Sequence, residues 1–140
     1  MASGMPGECG GTLPEQERDA RLRVSGAFPE RANATEQPMF AGTVTITNVT
    51  NRRIEGLSAS QPDIYVTQHD RIVATPLPQD DVGLALELAP GAARDFRTQG
   101  SLRRCSDQQP LAPGRYELHA VLRFGDGMAA AGGPWSLDVV

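Results

Sequence analysis

Cys9 and Cys105, His69 and His119, Ser101, the methionines Met5, Met39 and Met128, and the adjacent Asp80 and Asp81 are the residues whose functional groups could do chemistry in this 140-residue sequence. Nucleophilic hydrolysis needs a Ser or Cys beside a histidine that an acid orients, or a serine raised on a Gly-x-Ser-x-Gly elbow. Ser101 follows Gly100 but is itself followed by Leu102-Arg103, while His69 falls in a polar turn and His119 on the wet side of a strand. No catalytic residues are expected, and the chain reads as non-enzymatic. A metal centre needs several His, Cys, Asp or Glu side chains converging on one ion. No such spacing is present, so no metal or other cofactor is expected; the methionines and histidines leave an extracytoplasmic copper carrier as the lesser alternative. Asp80-Asp81 lacks the alternating acidic loop and glycine of a calcium site and reads as a solvated turn.

The two cysteines permit one intrachain pairing. A bridge over that span is worth about 4–5 kcal/mol in the chain-entropy model. Cys9 lies in the Gly-rich stretch Glu8-Cys9-Gly10-Gly11, which has little else to hold it, so a Cys9–Cys105 disulfide is the expectation and two reduced thiols the alternative. A disulfide places the protein outside the cytoplasm. The start, Met1-Ala2-Ser3-Gly4, then reads as a chain start left by removal of a leader, and no run of eighteen apolar residues suggests a membrane span.

Composition narrows the partners. The net charge of −4 comes from 17 acids and 13 bases dispersed along the chain, without the basic face that nucleic acid requires. All the bases are arginine, which rules out Schiff-base lysines, a P-loop lysine and Lys–Asn isopeptide bonds. The adjacent Arg103 and Arg104 read as solvated, and the sequons at Asn33 and Asn48 as chance matches. What remains is another protein or a cell-envelope component.

The elements that must position these residues are short. With 15 Gly and 11 Pro among 140 residues, apolar runs are brief and interrupted, which suits strands and turns. Residues 1–19 show no period and are expected to form an extended arm, with one domain over 20–140. Leu22 and Val24 alternate first. In residues 40–48 threonines alternate with Val44 and Ile46, giving one wet and one dry face. The apolar spacing then slips at Ile54 and Leu57, predicting a bulge or short edge strand. Residues 62–67 and 71–74 flank a polar turn as a hairpin; Val82, Leu84, Leu86 and Leu88 alternate up to Pro90-Gly91, and residues 94–98 return. The longest pattern puts Tyr116, Leu118, Ala120, Leu122 and Phe124 on one side and Glu117, His119 and Arg123 on the other. Trp135, Leu137 and Val139 close the domain facing inward, Trp135 as a core residue rather than a stacking platform.

The run Leu111-x-Pro113-Gly114-x-Tyr116 ahead of that long strand is similar to the tyrosine corner of immunoglobulin-like and fibronectin type III-like sandwiches. Over residues 40–140 the order of features also resembles BsuPI-like proteinase-inhibitor domains and Ig-like domains of secreted actinobacterial proteins. The resemblance implies an all-β, Ig-like antiparallel β-sandwich of about eight or nine strands with Tyr116 and Trp135 in structural roles. The functional expectation is a non-enzymatic binding or structural module of a secreted or cell-envelope bacterial protein. Contacts would fall on end loops, with His69, Asp70 and Arg71 on one and Asp126 on another. The alternative is a protease inhibitor presenting residues 76–79.

Overall fold

Alternating side chains become strand wherever a second sheet covers the apolar row. The computed structural model describes residues 5–15, 17–80 and 82–140. Among these are eleven strands and no helix: β1 (Glu17–Arg18), β2 (Leu22–Ala27), β3 (Arg31–Ala32), β4 (Met39–Asn48), β5 (Ile54–Ser58) and β6 (Asp63–Gln68) come first. β7 (Arg71–Ala74), β8 (Leu84–Leu88), β9 (Ala93–Ser101), β10 (Gly114–Arg123) and β11 (Met128–Val139) complete the chain.

One layer has the order β1-β11-β10-β6-β7, with β3 joining the far end of β11; the other is β2-β4-β9, and β5 and β8 form a separate two-stranded ribbon. The inward rows of the layers meet in one core, where Val44, Ile46, Val66, Leu118, Leu122 and Leu137 are completely buried. This is an Ig-like β-sandwich.

The ribbon arises at a corner built on Asn48. Its parity with Val44 and Ile46 carries it into the dry row, where it is fully buried, and a buried amide must find partners. Its Nδ2 donates to the carbonyls of Arg52 and Leu88, at 2.7 and 3.0 Å, and more distantly to Ala89, while its Oδ1 accepts from the Thr50 amide and hydroxyl. β4 and β9 end there as a pair, and the chain resumes as β5 and β8 beyond the bend.

At the opposite end of β10 the Tyr116 hydroxyl donates to the carbonyl of Ala112 at 2.7 Å. Burial pushes the phenol's pKa up, so it stays a donor.

The edge strand β7 is closed by two segments distant in sequence. The amide of Gly10 donates to the Ile72 carbonyl and the Ile72 amide to Gly11, while the Cys105 amide donates to Val73. The Cys9–Cys105 disulfide locks the two segments together at that point.

Four details differ from the sequence expectation. The strands number more than eight or nine, because bends at Asn48 and near Ala89 divide longer runs and because two-residue strands form on β11. Those strands, β1 and β3, pair with β11 in parallel, so the sandwich is not wholly antiparallel; the arm and the 31–32 segment approach β11 running in its own direction. Val82, 67% exposed, lies outside β8, where no facing layer covers it. Trp135 keeps inward parity with Leu137 but stands half-buried at the rim, packed on Phe28 with ring centroids 5.3 Å apart. Gly26 makes room there: a Cβ on it would come within 2.8 Å of both rings.

Candidate functional site

An apolar-floored cleft of about 420 Å³ opens where β2, β5 and the turn after β10 converge. Leu22, Ile54 and Leu86, all buried, are core residues whose outer surfaces form its floor, and half-buried Phe124 forms one wall. These side chains face inward by strand parity, but the ribbon's bend at Asn48 draws β5 away from β2 and leaves the gap. Leu57, 61% exposed, stands on the outer lip.

The rim is charged. Asp19, nearly buried, accepts two hydrogen bonds from the Arg21 guanidinium, at 2.9 and 2.6 Å, and one from the Arg21 amide at 3.0 Å. These bonds hold its carboxyl below the usual range, although burial acts in the opposite direction. The same guanidinium feels the negative charge of Asp126. Asp126 shapes its turn by accepting from the Met128 amide at 2.9 Å, and Gly127, at a φ of 88°, takes the left-handed conformation that the turn needs. On the remaining side Glu55 pairs with Arg53, which reaches across the ribbon to Glu87. The lining carries Asp19, Glu55 and Asp126 against Arg21, and Arg53 outside it is shared between Glu55 and Glu87, so a surplus of negative charge remains above an apolar floor.

The residues singled out by sequence do not gather in one place. His69 and Asp70 form the tip of the β6–β7 hairpin, both at positive φ (53° and 62°), the backbone of a type I′ turn. Arg71 comes next, at the start of β7. This hairpin sits beside Gly114 and Arg115, whose carbonyl accepts from Gln68, whereas the turn bearing Asp126 lies at the other end of β10. His69, Asp70 and Arg71 thus belong to the end opposite Asp126.

His119, expected on a wet face, is half-buried beneath Leu13 and Pro14 of the arm. Its Nε2 shares a hydrogen bond with the Thr67 hydroxyl at 3.0 Å, and burial lowers its pKa. The arm and the neighbouring strand β11, with Gly133 against the imidazole, together enclose it. Ser101 bonds locally to the backbone of Arg103. In the 76–79 segment, Gln79 donates to the Gln61 carbonyl and to Asp63, which ties the segment to the start of β6. Among the described residues no three His, Cys, Asp or Glu side chains are grouped as metal ligands, and Met5 and Met39 are exposed. Asp81, and the opening residues 1–4, lie outside the described residues.

Sequence reasoning reached Asp126 but missed Asp19, Glu55 and Leu57. The usable signal was the slipped apolar spacing at Ile54 and Leu57: it left Leu57 with no inward-facing place, and so on the surface.

No protein-family model matches the chain, and no curated protein sequence matches it. Among solved structures it is similar to the X-ray structure of a structural-genomics consortium target, with a TM-score of 0.50, 15% identity, and coverage of 86% of this chain and 88% of that one. It is also similar to the CARDB domain of a Pyrococcus furiosus protein in complex with di-metal ions, with a TM-score of 0.48, 11% identity, and coverage of 91% and 95%. A β-glucosidase from Listeria innocua aligns with a TM-score of 0.46 and 11% identity over 84% of this chain; the chain spans only 16% of that enzyme's length. At such identities likeness concerns the fold alone.

Proposed function

We propose that this domain is a non-enzymatic binding module of a secreted or cell-envelope protein, and that it engages another protein through the cleft beside Asp126. The observation that carries this reading is the cleft itself: a concavity with an apolar floor and a few convergent charged groups is the usual form of a binding site. The exposed Leu57 beside it adds apolar surface that the core does not need. The Cys9–Cys105 disulfide supports an extracytoplasmic setting, since such bonds persist where thiols are not kept reduced.

Selection of a peptide-display library on the oxidised domain tests the proposal. Ligands that prefer the cleft should lose about tenfold or more in affinity for Leu57→Ser, because removing an apolar side chain that becomes buried on binding costs about 1.5 kcal/mol or more. Leu57 is exposed, so the variant should keep the parent fold, which circular dichroism checks. Selected ligands that bind parent and Leu57→Ser equally would place any contact elsewhere and overturn the reading.

A further inference from the structure

We infer that the occupant of this cleft is an extended, basic segment of the partner that adds as a strand to the free part of β5; this rests on the reading of the cleft as the contact surface. The register of β5 carries the first half of the argument. β5 pairs with β8 through Ile54↔Leu88, Gly56↔Leu86 and Ser58↔Leu84. On its other side the Leu57 carbonyl accepts from the Gly125 amide at 3.0 Å, and the Ala59 amide donates to Arg123 at 2.8 Å. Backbone groups alternate sides along an antiparallel strand. The N–H and C=O of Glu55 therefore point the same way as those of Leu57 and Ala59, toward the cleft, where β10 no longer runs alongside. An ideal Cβ on the neighbouring Gly56 would meet nothing within 4 Å, so the inward face of β5 is open there to side chains of an incoming strand. An unpaired edge of this kind is a template for strand addition.

Charge and floor select the segment. A strand entering beside Glu55 would send alternate side chains down onto Leu22, Ile54, Leu86 and Phe124, beneath the carboxylates of Glu55 and Asp126. Arginine and lysine combine an apolar stem with a cationic head and match both surfaces. An acidic side chain would meet the surplus negative charge. Asp19 is already committed to Arg21 and serves as a fixed wall, whereas Glu55 shares the one guanidinium of Arg53 with Glu87.

The test is titration of the labelled oxidised domain, monitored by amide NMR, with blocked Val-Arg-Val-Arg-Val and with the same peptide carrying glutamate for arginine. The basic peptide should shift the amides of Glu55, Gly56, Gly125 and Asp126, with affinity falling as salt is raised. The double variant Glu55→Gln, Asp126→Asn should weaken it about fivefold, two exposed ion pairs of roughly 0.5 kcal/mol each. N-methylation of alternate amides along one edge of the peptide should abolish binding, and along the other edge leave it intact. Equal binding of the glutamate peptide, indifference to which edge is methylated, or shifts confined to other surfaces would each overturn the inference. If library-selected ligands depend on Leu57 while the basic peptide fails, the cleft stands as the contact surface and only its assigned occupant falls.

Discussion

Asn48 bonds more backbone groups than any other side chain among the described residues, because the chain bends twice around it and turns carbonyls of both bends toward its amide. Replacing it with alanine removes these bonds and leaves a cavity in a dry corner, although the Ala89 carbonyl keeps the Ala92 amide and the Arg52 carbonyl the Thr50 hydroxyl; the expected cost is about 2–3 kcal/mol, measurable as a lower urea midpoint at unchanged slope. Tyr116→Phe removes one neutral hydrogen bond and keeps the ring in place, so the expected loss is about 1 kcal/mol. A loss for Tyr116→Phe as large as that for Asn48→Ala would show that the corner, not the bend, is the keystone. His119 gives the protein a pH response. Burial keeps the imidazole neutral in the fold to a lower pH than its ordinary 6.5, so the unfolded chain takes up a proton first. Stability therefore falls as pH drops below about 6.5, and the decline ends once the folded histidine also protonates. His119→Gln should flatten that part of a stability–pH curve, while the separate loss below 3.8, from Asp19 held ionised by Arg21, should persist.

At the scale of elements, the edges of the sheets decide behaviour. β7 would be an open edge if residues 10–11 and the Cys105 amide did not occupy it, and open edges invite pairing with other chains. The disulfide holds this strap closed. Reduction and alkylation should therefore raise hydrogen exchange first at the amides of Gly10, Ile72 and Cys105, ahead of those in β10, whose strand lies between two neighbours. Uniform exchange across both regions after reduction would mean that the strap is not a separable unit. The edge of β5 is treated differently: it has no strap, and beside Glu55 the cleft leaves it open. The two edges divide the molecule into a guarded flank and an accessible one.

At the scale of the whole molecule, stability comes from two layers closed at the rim by Phe28 and Trp135, with Phe28 packed on the buried Phe40, and from a 96-residue loop closed by the disulfide. Loss of the bridge should lower unfolding free energy by about 4–5 kcal/mol in the chain-entropy model. That is a large share of a domain's usual net stability. A Cβ on Gly42 would fall onto the Phe28 ring, which packs over β4 from the end of the neighbouring β2. Gly42→Ala should cost about 1–3 kcal/mol by overpacking, seen as a lower Tm; an unchanged Tm would mean that the aromatic rim yields freely. The all-β class, the inward rows of β4 and β10 and the hairpin around His69 were readable in the sequence, because period-two placement is a local property of the chain. The pairing of Cys9 with Cys105 was readable as well, since two cysteines allow one partner choice. The cleft was not. Asp19, Leu57 and Asp126 are brought together only by the bend at Asn48 and by the turn that returns β10 to β11, and no local pattern encodes the distance between strands that meet across layers. The cover over His119 was hidden for the same reason: alternation states which side of a strand a residue takes, and only the folded arm and the neighbouring β11 decided whether that side met water.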